Sequence, residues 1–401
     1  MATNRRSPST SEQAKGGLLG LAGLLAGVPL GLAASWLAYS RWGIDHQRPL
    51  PPALEAERLT LMDQTGEAVN VYRDTSGSGR PLVLIHSVNA AASAYEMRPI
   101  FEHYRGKRPV YALDLPGFGL SARTDRIYDA PLCASAIVEL LKSQLTEAAD
   151  VVALSLSSEF AARAVDLAPN QFHSLVMISP SGFNPPDSGR STQRVVENGN
   201  SATVYRLISL PIWGRALYDL IATRRSIAYF LRQSFVGDVP PELVDYAYAT
   251  AHQPGAHYAP LRFISGLLFT PQARETLYAI LKLPVLVVYD RDAFSRFDML
   301  PQFVQEHPNW QAMRLQSTLG LPQFEAPSHL CDVLDEFWGA LAAQEEASVR
   351  GQASMRAPAI TREESGAGAP TGAGAQAGAG AQTGAGEESN KTASQTAGAE
   401  H

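Results

Sequence analysis

One serine stands where the chain could expose it for nucleophilic chemistry. Residues 151–154 form a short apolar run, Ser155 follows at once, and an alanine-rich helical stretch begins near Ser157. A serine on such a sharp strand-to-helix turn presents its hydroxyl, provided that the residues two before and two after it are small. Ala153 and Ser157 meet that requirement, although neither is glycine. The pattern therefore predicts that Ser155 is a nucleophile.

A serine hydroxyl attacks poorly at neutral pH unless a histidine takes its proton and an acid orients that histidine. Five apolar runs of four to eight residues alternate with longer helical stretches, at 82–85, 109–113, 150–154, 174–178 and 284–289. This alternation predicts a parallel sheet with helices on both faces. Ligands bind at the carboxyl ends of the strands in such a sheet, so the partners of Ser155 are expected just after other strands.

Two further segments match a known family together with the turn at Ser155. An apolar strand runs into His86 and Ser87, and Asp114–Ser121 reads Asp-Leu-Pro-Gly-Phe-Gly-Leu-Ser. In this order the three segments resemble the α/β-hydrolase superfamily, which has a His-Gly pair after the third strand and an Asp-x-Pro-Gly-x-Gly-x-Ser segment after the next. Ser87 replaces the glycine of the pair. The resemblance covers roughly residues 55–345.

The resemblance implies an α/β-hydrolase fold, with a mostly parallel sheet covered by helices and a helical cap. It implies a nucleophile elbow at Ser155 and an oxyanion hole made by the backbone amides of Leu156 and Val88. It also places a triad acid after the fifth apolar run, where Asp292 stands one residue earlier than the superfamily's spacing. The alternative interpretation of Asp292 is a surface turn residue paired with Arg291.

The triad base is missing from its expected position. Residues 318–327 resemble the superfamily's Gly-His-x-Pro-x-x-Glu-x-Pro ending, and aligning the two prolines and the glutamate places Gly320 where the histidine belongs. Glycine can do no acid–base chemistry. Among the nine histidines, His252 and His257 are the candidates that could reach Ser155 from the cap. The alternative is that both are packing or surface residues of the cap.

A long insertion follows the fourth apolar run. Roughly a hundred residues separate the strands near Ser179 and Pro284, and the cap is expected at about 185–278. Insertions of this size are usually functional. The segment is rich in leucine and aromatic residues, which predicts a helical lid over an apolar pocket for an ester, a lipid or another hydrophobic small molecule. The alternative is that these side chains only seal the lid against the sheet.

The amino-terminal region predicts a membrane anchor. The 24 residues from Gly16 to Tyr39 carry no charge, and a helix of that length spans about 36 Å, enough to cross a bilayer. The prediction is a single transmembrane helix over residues 16–40, with residues 1–15 as a polar amino terminus and 41–55 as a linker. A cleaved secretory signal is the alternative. Three aromatic residues form a belt at the far end of the helix: Trp36, Tyr39 and Trp42.

Two expectations concern the orientation and assembly of this anchor. The short basic amino terminus favours placing the catalytic domain on the extracytoplasmic side. Glycines at 23, 27 and 31 share one helix face, which would let two helices approach closely and form a homodimer. The alternative is the ordinary glycine content of a membrane helix.

The rest of the chain divides into a catalytic domain at 56–345 and a Gly/Ala-rich tail at 346–401. The tail lacks aromatic residues and is predicted to be disordered. The net charge is −6 with no basic face evident, which gives no support to nucleic-acid binding. Two isolated cysteines and the absence of metal-binding histidine spacing predict neither a metal nor another cofactor.

Two functions remain open. The first is hydrolysis of an ester-type hydrophobic molecule by Ser155, with Asp292 as acid. The second is a non-catalytic protein of the same fold that has lost the triad histidine and uses its pocket or cap for binding. A histidine within hydrogen-bond reach of Ser155 separates the two.

Overall fold

The computed structural model describes residues 31–184 and 201–356. Within these residues eight strands form one sheet in the order β1-β2-β4-β3-β5-β6-β7-β8. The strands are β1 (Glu57–Met62), β2 (Ala68–Asp74), β3 (Leu82–Ile85), β4 (Val110–Leu113), β5 (Ala149–Leu154), β6 (Phe172–Ile178), β7 (Val285–Tyr289) and β8 (Trp310–Arg314). Strand β2 pairs antiparallel with β1 and β4, and the other neighbours are parallel. The predicted mostly parallel sheet is confirmed.

Helices cover the sheet and cap its carboxyl edge. Those in the described residues are α1 (31–42), α2 (Arg98–Tyr104), α3 (Ala130–Gln144), α4 (Ser157–Leu167), α5 (Ser201–Ile208), α6 (Gly214–Ile221), α7 (Arg224–Arg232), α8 (Pro241–Ala251), α9 (Tyr258–Ile264), α10 (Leu300–Glu306), α11 (Pro322–Glu325) and α12 (Pro327–Arg356). Helices α5 to α9 lie between β6 and β7, where the cap was predicted. Residues 185–200, at the start of that insertion, lie outside the described residues.

The central strands read as continuous apolar runs because both of their faces are buried. In β3, Val83 and Ile85 belong to a core that includes α3 and α4, whereas Leu82 and Leu84 belong to a second core that includes α2 and α12. Successive side chains of a strand point to opposite faces, so every position of such a strand must be apolar. This explains why the sequence pattern located these strands.

Strands β1 and β2 were not predicted from the sequence. Strand β1 is an edge strand with an exposed or half-buried pattern, and its residue Glu57 pairs across the hairpin with Arg73. An edge strand that faces solvent needs no apolar run. Apolar content therefore could not reveal this hairpin.

Helix α1, which ends the predicted anchor, is docked on the cap. The indole Nε1 of Trp36 donates to the carbonyl oxygen of Ala216 in α6 at 2.8 Å. One helical turn later, Ser40 Oγ donates to Asp219 Oδ2 at 2.6 Å, and His46 Nε2 lies 3.1 Å from the same carboxylate. Asp219 is fully buried, so these contacts satisfy its charge within the protein.

The prediction of a transmembrane helix over 16–40 falls only partly on the described residues, which begin at 31. Within the described ranges, no helix has both the length and the apolar character needed to cross a membrane. The three residues of the predicted aromatic belt lie in different environments. Trp36 contacts α6, whereas Tyr39 and Trp42 are exposed. Gly23 and Gly27 of the predicted dimer stripe lie outside the description.

The prediction that the carboxyl-terminal tail is disordered requires correction for its first residues, 346–356. The tail was predicted to begin at 346 without structure, yet α12 continues to Arg356. The extension is physically reasonable because residues 340–350 are mainly alanine, glutamine, glutamate and arginine, which favour helix. Arg350 also pairs with Glu346 one turn earlier. Residues 357–401 lie outside the described part of the chain.

The segment Asp114–Ser121 is a structural support for the loops at the carboxyl edge. The Asp114 carboxylate accepts hydrogen bonds from Asn70 Nδ2 and from the backbone amides of Ala94 and Leu120, at 2.8–2.9 Å. Gly119 has a φ of +52°, and a Cβ atom there would lie 2.0 Å from the Asp114 carboxyl group. Only glycine fits this turn.

Replacing Gly119 with alanine should therefore destabilise the fold by more than about 3 kcal/mol, because left-handed strain of about 1–2 kcal/mol adds to the overlap with Asp114. Gly66 is the matched control. It has a φ of +80° and open space around its Cβ position, so Gly66→Ala should cost only the strain of about 1–2 kcal/mol. Urea denaturation of both variants measures the difference, and equal losses would contradict this account.

Candidate active site

Ser155 lies on a strained elbow between β5 and α4. Its φ is +56°, a conformation that non-glycine residues rarely adopt. The Ser155 amide donates to Ile178 O at 2.8 Å, and its carbonyl accepts from the amide of Ser158 at 3.1 Å. Ala153 and Ser157 on either side are fully buried, as the predicted close approach of strand and helix requires. The structure thus forms the turn that the sequence predicted at Ser155.

A serine replaces glycine at 157 without loss of the close packing. The Ser157 hydroxyl donates to the backbone carbonyl of His86, the residue that follows β3. This hydrogen bond connects the elbow to the loop that follows β3. Ser157 differs from the superfamily's glycine, yet it also allows the strand and the helix to pack closely.

The two predicted oxyanion amides border the same cavity as Ser155. Val88 and Leu156 line this cavity, and within the described chain neither backbone amide has a hydrogen-bond acceptor. An amide without an internal acceptor can donate to a ligand oxygen. The pair is therefore available to hold a carbonyl oxygen beside the Ser155 hydroxyl.

Glu96 fixes the loop that carries Val88. The buried Glu96 carboxylate accepts from the amide of Ser87 at 2.9 Å and from Asn89 Nδ2 at 2.8 Å. The sequence analysis did not identify Glu96 or Asn89. Neither residue belongs to a motif. The signal that could have identified Glu96 is a glutamate within an otherwise apolar segment.

His86 has a structural position. Its Nε2 accepts from the amide of Leu115 at 3.0 Å, and its Nδ1 lies 2.6 Å from Ser87 O. The ring must therefore carry its proton on Nδ1, which donates to that carbonyl. The imidazole is fully buried and does not line the cavity.

The predicted acid lies directly beside the glycine that replaces the predicted base. Asp292 follows β7 and Gly320 follows β8, and both line the cavity. Asp292 Oδ1 accepts from the amides of Phe294 and Ser295. A Cβ atom on Gly320 would lie 3.0 Å from Asp292 Oδ2 and 3.3 Å from Ser234 Oγ. A side chain at position 320 would thus start next to the carboxylate that normally orients a catalytic histidine.

The loop before α11 is held firmly in this place. Glu325 Oε2 accepts from the amide of Leu319 at 2.8 Å, and its Oε1 accepts from the amides of Val236 and Gly237 in the cap. The superfamily's glutamate is therefore retained as a positioning group, while the histidine that it would position is absent.

The two cap histidines pack inside the cap. His252 donates from Nδ1 to Tyr248 O at 2.8 Å and lies against the ring of Tyr248, while His257 lies against Tyr258. Burial lowers the pKa of His252, and it lowers the pKa of His257 to about 4. Neither residue lines the cavity that contains Ser155.

The same is true of every other histidine in the described residues, which include all nine except His401. The undescribed cap residues 185–200 contain no histidine in the sequence. The structure therefore brings Ser155, Asp292 and the two oxyanion amides to one cavity, and it does not bring His252 or His257 there.

This cavity has a volume of about 1190 Å³ and lies between the sheet's carboxyl edge and the cap. Its cap wall is formed mostly by apolar side chains, namely Ile221, Ile227, Phe230, Leu231, Leu243, Ala247, Phe263 and Ile264. Tyr95 and Tyr246 stack on each other in the same lining, 4.6 Å between ring centroids. The polar groups concentrate at the sheet end, an arrangement that orients an otherwise apolar ligand.

A sequence profile described as the α/β hydrolase family matches residues 82–345. The chain belongs to this family. No curated protein matches the sequence.

Three solved structures are similar to this α/β hydrolase. A serine hydrolase involved in carbazole degradation (CarC) superposes with a TM-score of 0.54 at 15% identity, covering 71% of this chain and 100% of that one. A membrane phospholipase A, a bacterial virulence factor, gives 0.57 at 17%, covering 82% and 99%. An esterase from Exiguobacterium antarcticum gives 0.57 at 13%, covering 70% and 99%. These similarities establish the fold, and with the family match they support hydrolase chemistry in general.

A second buried acid of this α/β hydrolase was also missed by the sequence analysis. Glu159 lies on α4 one turn after the elbow and lines the cavity. Its carboxylate accepts from Ser181 Oγ and from the amide of Thr270 at 2.7 Å. Burial raises the pKa of Glu159 to about 7, although these hydrogen bonds lower it in part. Glu159 thus joins the elbow helix to the loop after β6 and to the end of the cap.

Glu159 should make the stability of the protein fall as pH rises from about 4.5 to 7. Its folded pKa of about 7 exceeds the ordinary value of 4.5, so the folded state binds more protons in this window and its advantage is lost as pH rises through 7. The full difference amounts to about 3 kcal/mol. Between pH 4.5 and pH 8, the unfolding free energy of wild type should fall by about 3 kcal/mol more than that of Glu159→Gln. Parallel pH profiles of the two proteins would refute the assignment.

Proposed function

We propose that this α/β hydrolase binds an apolar molecule carrying an ester-type carbonyl in the cavity beneath the cap. The apolar cap wall takes the hydrocarbon part of the ligand, and the amides of Val88 and Leu156 take its carbonyl oxygen. The hydroxyl of Ser155 then lies beside the carbonyl carbon.

The observation that carries this proposal is Gly320 beside Asp292. Removing the catalytic histidine of a serine hydrolase lowers turnover by about 10⁶-fold, since nothing takes the proton from the serine. Among the described residues no histidine lines the cavity. Ligand binding is therefore the function that the geometry supports best.

Hydrolysis by Ser155 is the second candidate. It is favoured by the strained elbow, the two oxyanion amides and the placement of Asp292 in the cavity. These features support the proposal, and the residual catalysis of a serine hydrolase site that lacks its base exceeds the rate in water by about 10³–10⁴-fold.

We also propose that residues 16–40 anchor the protein in a membrane as a single helix, with the domain outside the cytoplasm. Support comes from the uncharged run from Gly16 to Tyr39. Homodimerisation through glycines 23, 27 and 31 stays a prediction.

Labelling with a fluorophosphonate probe tests the two candidates directly. Full-length wild type and Ser155→Ala should remain equally unlabelled under conditions that label a complete triad, because the Ser155 hydroxyl keeps its proton. In-gel fluorescence measures the reaction. Labelling of wild type that disappears in Ser155→Ala would show that a base reaches the serine and would make hydrolysis the leading function.

Binding is measured on the same proteins by calorimetric titration with 4-nitrophenyl octanoate. Saturable binding should be retained in Ser155→Ala and weakened at least about tenfold in Ala247→Trp, which fills the cavity wall. Leu167→Trp is the control, since Leu167 is exposed at the end of α4 and does not line the cavity. Equal affinities of the two tryptophan variants would place the ligand elsewhere.

Gly320→His should convert the protein into a faster esterase. The new Cβ would start 3.0 Å from Asp292 Oδ2, which allows the carboxylate to orient the imidazole. General-base catalysis contributes about 10²–10⁴-fold, so hydrolysis of 4-nitrophenyl octanoate should rise by at least about 100-fold. Adding Asp292→Asn or Ser155→Ala should remove the gain. A gain that survives both changes would mean that the histidine acts outside the triad arrangement.

A further inference from the structure

The cap carries a group of exposed apolar side chains around the connection between α5 and α6. We call it the cap apolar face, and it consists of Leu207, Leu210, Ile212, Trp213 and Leu220. Ile212 is 76% exposed, and Trp213 is fixed by a hydrogen bond from its Nε1 to Leu207 O at 2.8 Å. Clustered apolar side chains that stay exposed on a folded domain indicate a surface that another apolar phase covers.

The face continues along one side of α6. Trp213, Leu217 and Leu220 recur at helical spacing on its outer side, where Leu217 is half-buried and the others are exposed. Ala216 and Asp219 on the other side of α6 contact α1. The helix therefore packs against α1 with one side and leaves a second apolar side open.

Positive charges predominate in the segment that carries this face, although Arg224 pairs with Asp245 of α8. Residues 201–233 contain five arginines and one acid, the buried Asp219. The arginines are Arg206, Arg215, Arg224, Arg225 and Arg232. The whole chain has a net charge of −6, so this excess of positive charge is local to residues 201–233. Exposed tryptophan and aliphatic residues among arginines match the composition of surfaces that enter anionic lipid headgroups.

The direction of α1 brings the predicted anchor to the same end of the cap. Trp36 contacts Ala216 and Ser40 contacts Asp219, so α1 and α6 run in the same direction. The beginning of α1, which continues the uncharged residues 16–30, therefore points toward the beginning of α6. Four of the five residues of the cap apolar face precede α6 and lie at that end: Leu207, Leu210, Ile212 and Trp213.

The cavity wall reaches this part of the cap. Phe230 of α7 and Ile264 of α9 line the cavity and are also partly exposed. Tyr229, next to Phe230, is exposed as well, and its ring contacts the ring of Phe230. Apolar side chains of the cavity wall are therefore also present on the surface of the cap.

We propose that the cap apolar face rests in the headgroup region of an anionic bilayer, and that the cavity takes its apolar ligand from that bilayer. The inference rests on the proposed anchoring by residues 16–40, which brings the cap to the membrane. Arg206, Arg215, Arg225 and Arg232 hold the anionic headgroups, whereas Arg224 is paired with Asp245, and the apolar side chains enter the boundary of the acyl chains.

The test uses full-length protein in nanodiscs of phosphatidylglycerol and phosphatidylcholine. Ile212→Cys is labelled with an environment-sensitive fluorophore, which is site-specific because Cys133 and Cys331 are both buried. Leu167→Cys is the matched control. It is 55% exposed, but it lies at the opposite end of the sheet, just before β6 begins. Leu220→Cys repeats the measurement on the cap apolar face in case Ile212→Cys folds poorly.

Emission from position 212 should shift to the blue, and doxyl-labelled lipid should quench it about twofold, as for a group buried ~5–10 Å in the interface. Position 167 should show neither effect. Replacing Arg206 and Arg225 with glutamine should reduce the quenching at 212.

Equal quenching at 212 and 167 would overturn the proposal while leaving the anchor intact, provided that the protein co-elutes with the discs. A blue shift without lipid quenching would mean that the face is covered by protein, either a second copy or residues 16–30, and would also overturn it. Protein that does not enter the discs would refute both the anchor and the docking surface. None of these outcomes affects the fluorophosphonate result, so the proposed ligand-binding function is judged separately.

Discussion

The strained backbone at Ser155 is the constraint on which the site depends. A residue with φ of +56° between β5 and α4 costs about 1–3 kcal/mol, and it persists only because the surroundings leave no alternative. Fully buried Ala153 and Ser157 allow strand and helix to meet, and the hydrogen bond from Ser157 to His86 O fixes the adjacent loop. The turn thereby sets the positions of the serine hydroxyl, the Leu156 amide and, through the neighbouring loop, the Val88 amide.

Buried or half-buried carboxylates hold the irregular segments around this turn. Asp114, Glu96 and Glu325 each accept hydrogen bonds from backbone amides of loops at the carboxyl edge, and Glu159 does the same for the end of the cap. Loops cannot satisfy their amides by regular pairing, and an unpaired buried amide is costly. Acidic side chains at this edge therefore serve mainly as fixed acceptors. Asp292 shares that role through the amides of Phe294 and Ser295, so its position does not by itself require catalysis.

The sequence predicted what depends on burial and on order along the chain. Strands buried on both faces were found as apolar runs. Ser155 and Asp292 follow β5 and β7, which are separated only by β6 and end at the same edge of the sheet. The hairpin of β1 and β2 was missed because an exposed edge needs no apolar run. Glu96 was missed because no motif marks its contacts with Ser87 and Asn89, and Glu159 was missed because its partners Ser181 and Thr270 lie far along the chain. The packing of His252 inside the cap likewise depends on contacts with residues that no local pattern specifies.

Fold and chemistry can separate in this protein because they depend on different atoms. The elbow, the oxyanion amides and the loop held by Glu325 are parts of the folded backbone, and none of them needs a side chain at position 320. Replacing a histidine there with glycine removes the proton acceptor while leaving the cavity, its apolar wall and its amide donors in place. A site that has lost only its base still recognises the molecules that the complete site would bind, since binding uses the cavity and the amides. The scaffold around Gly320 therefore supports the proposal that the cavity, with the apolar ligand proposed for it, is the functional part of this structure.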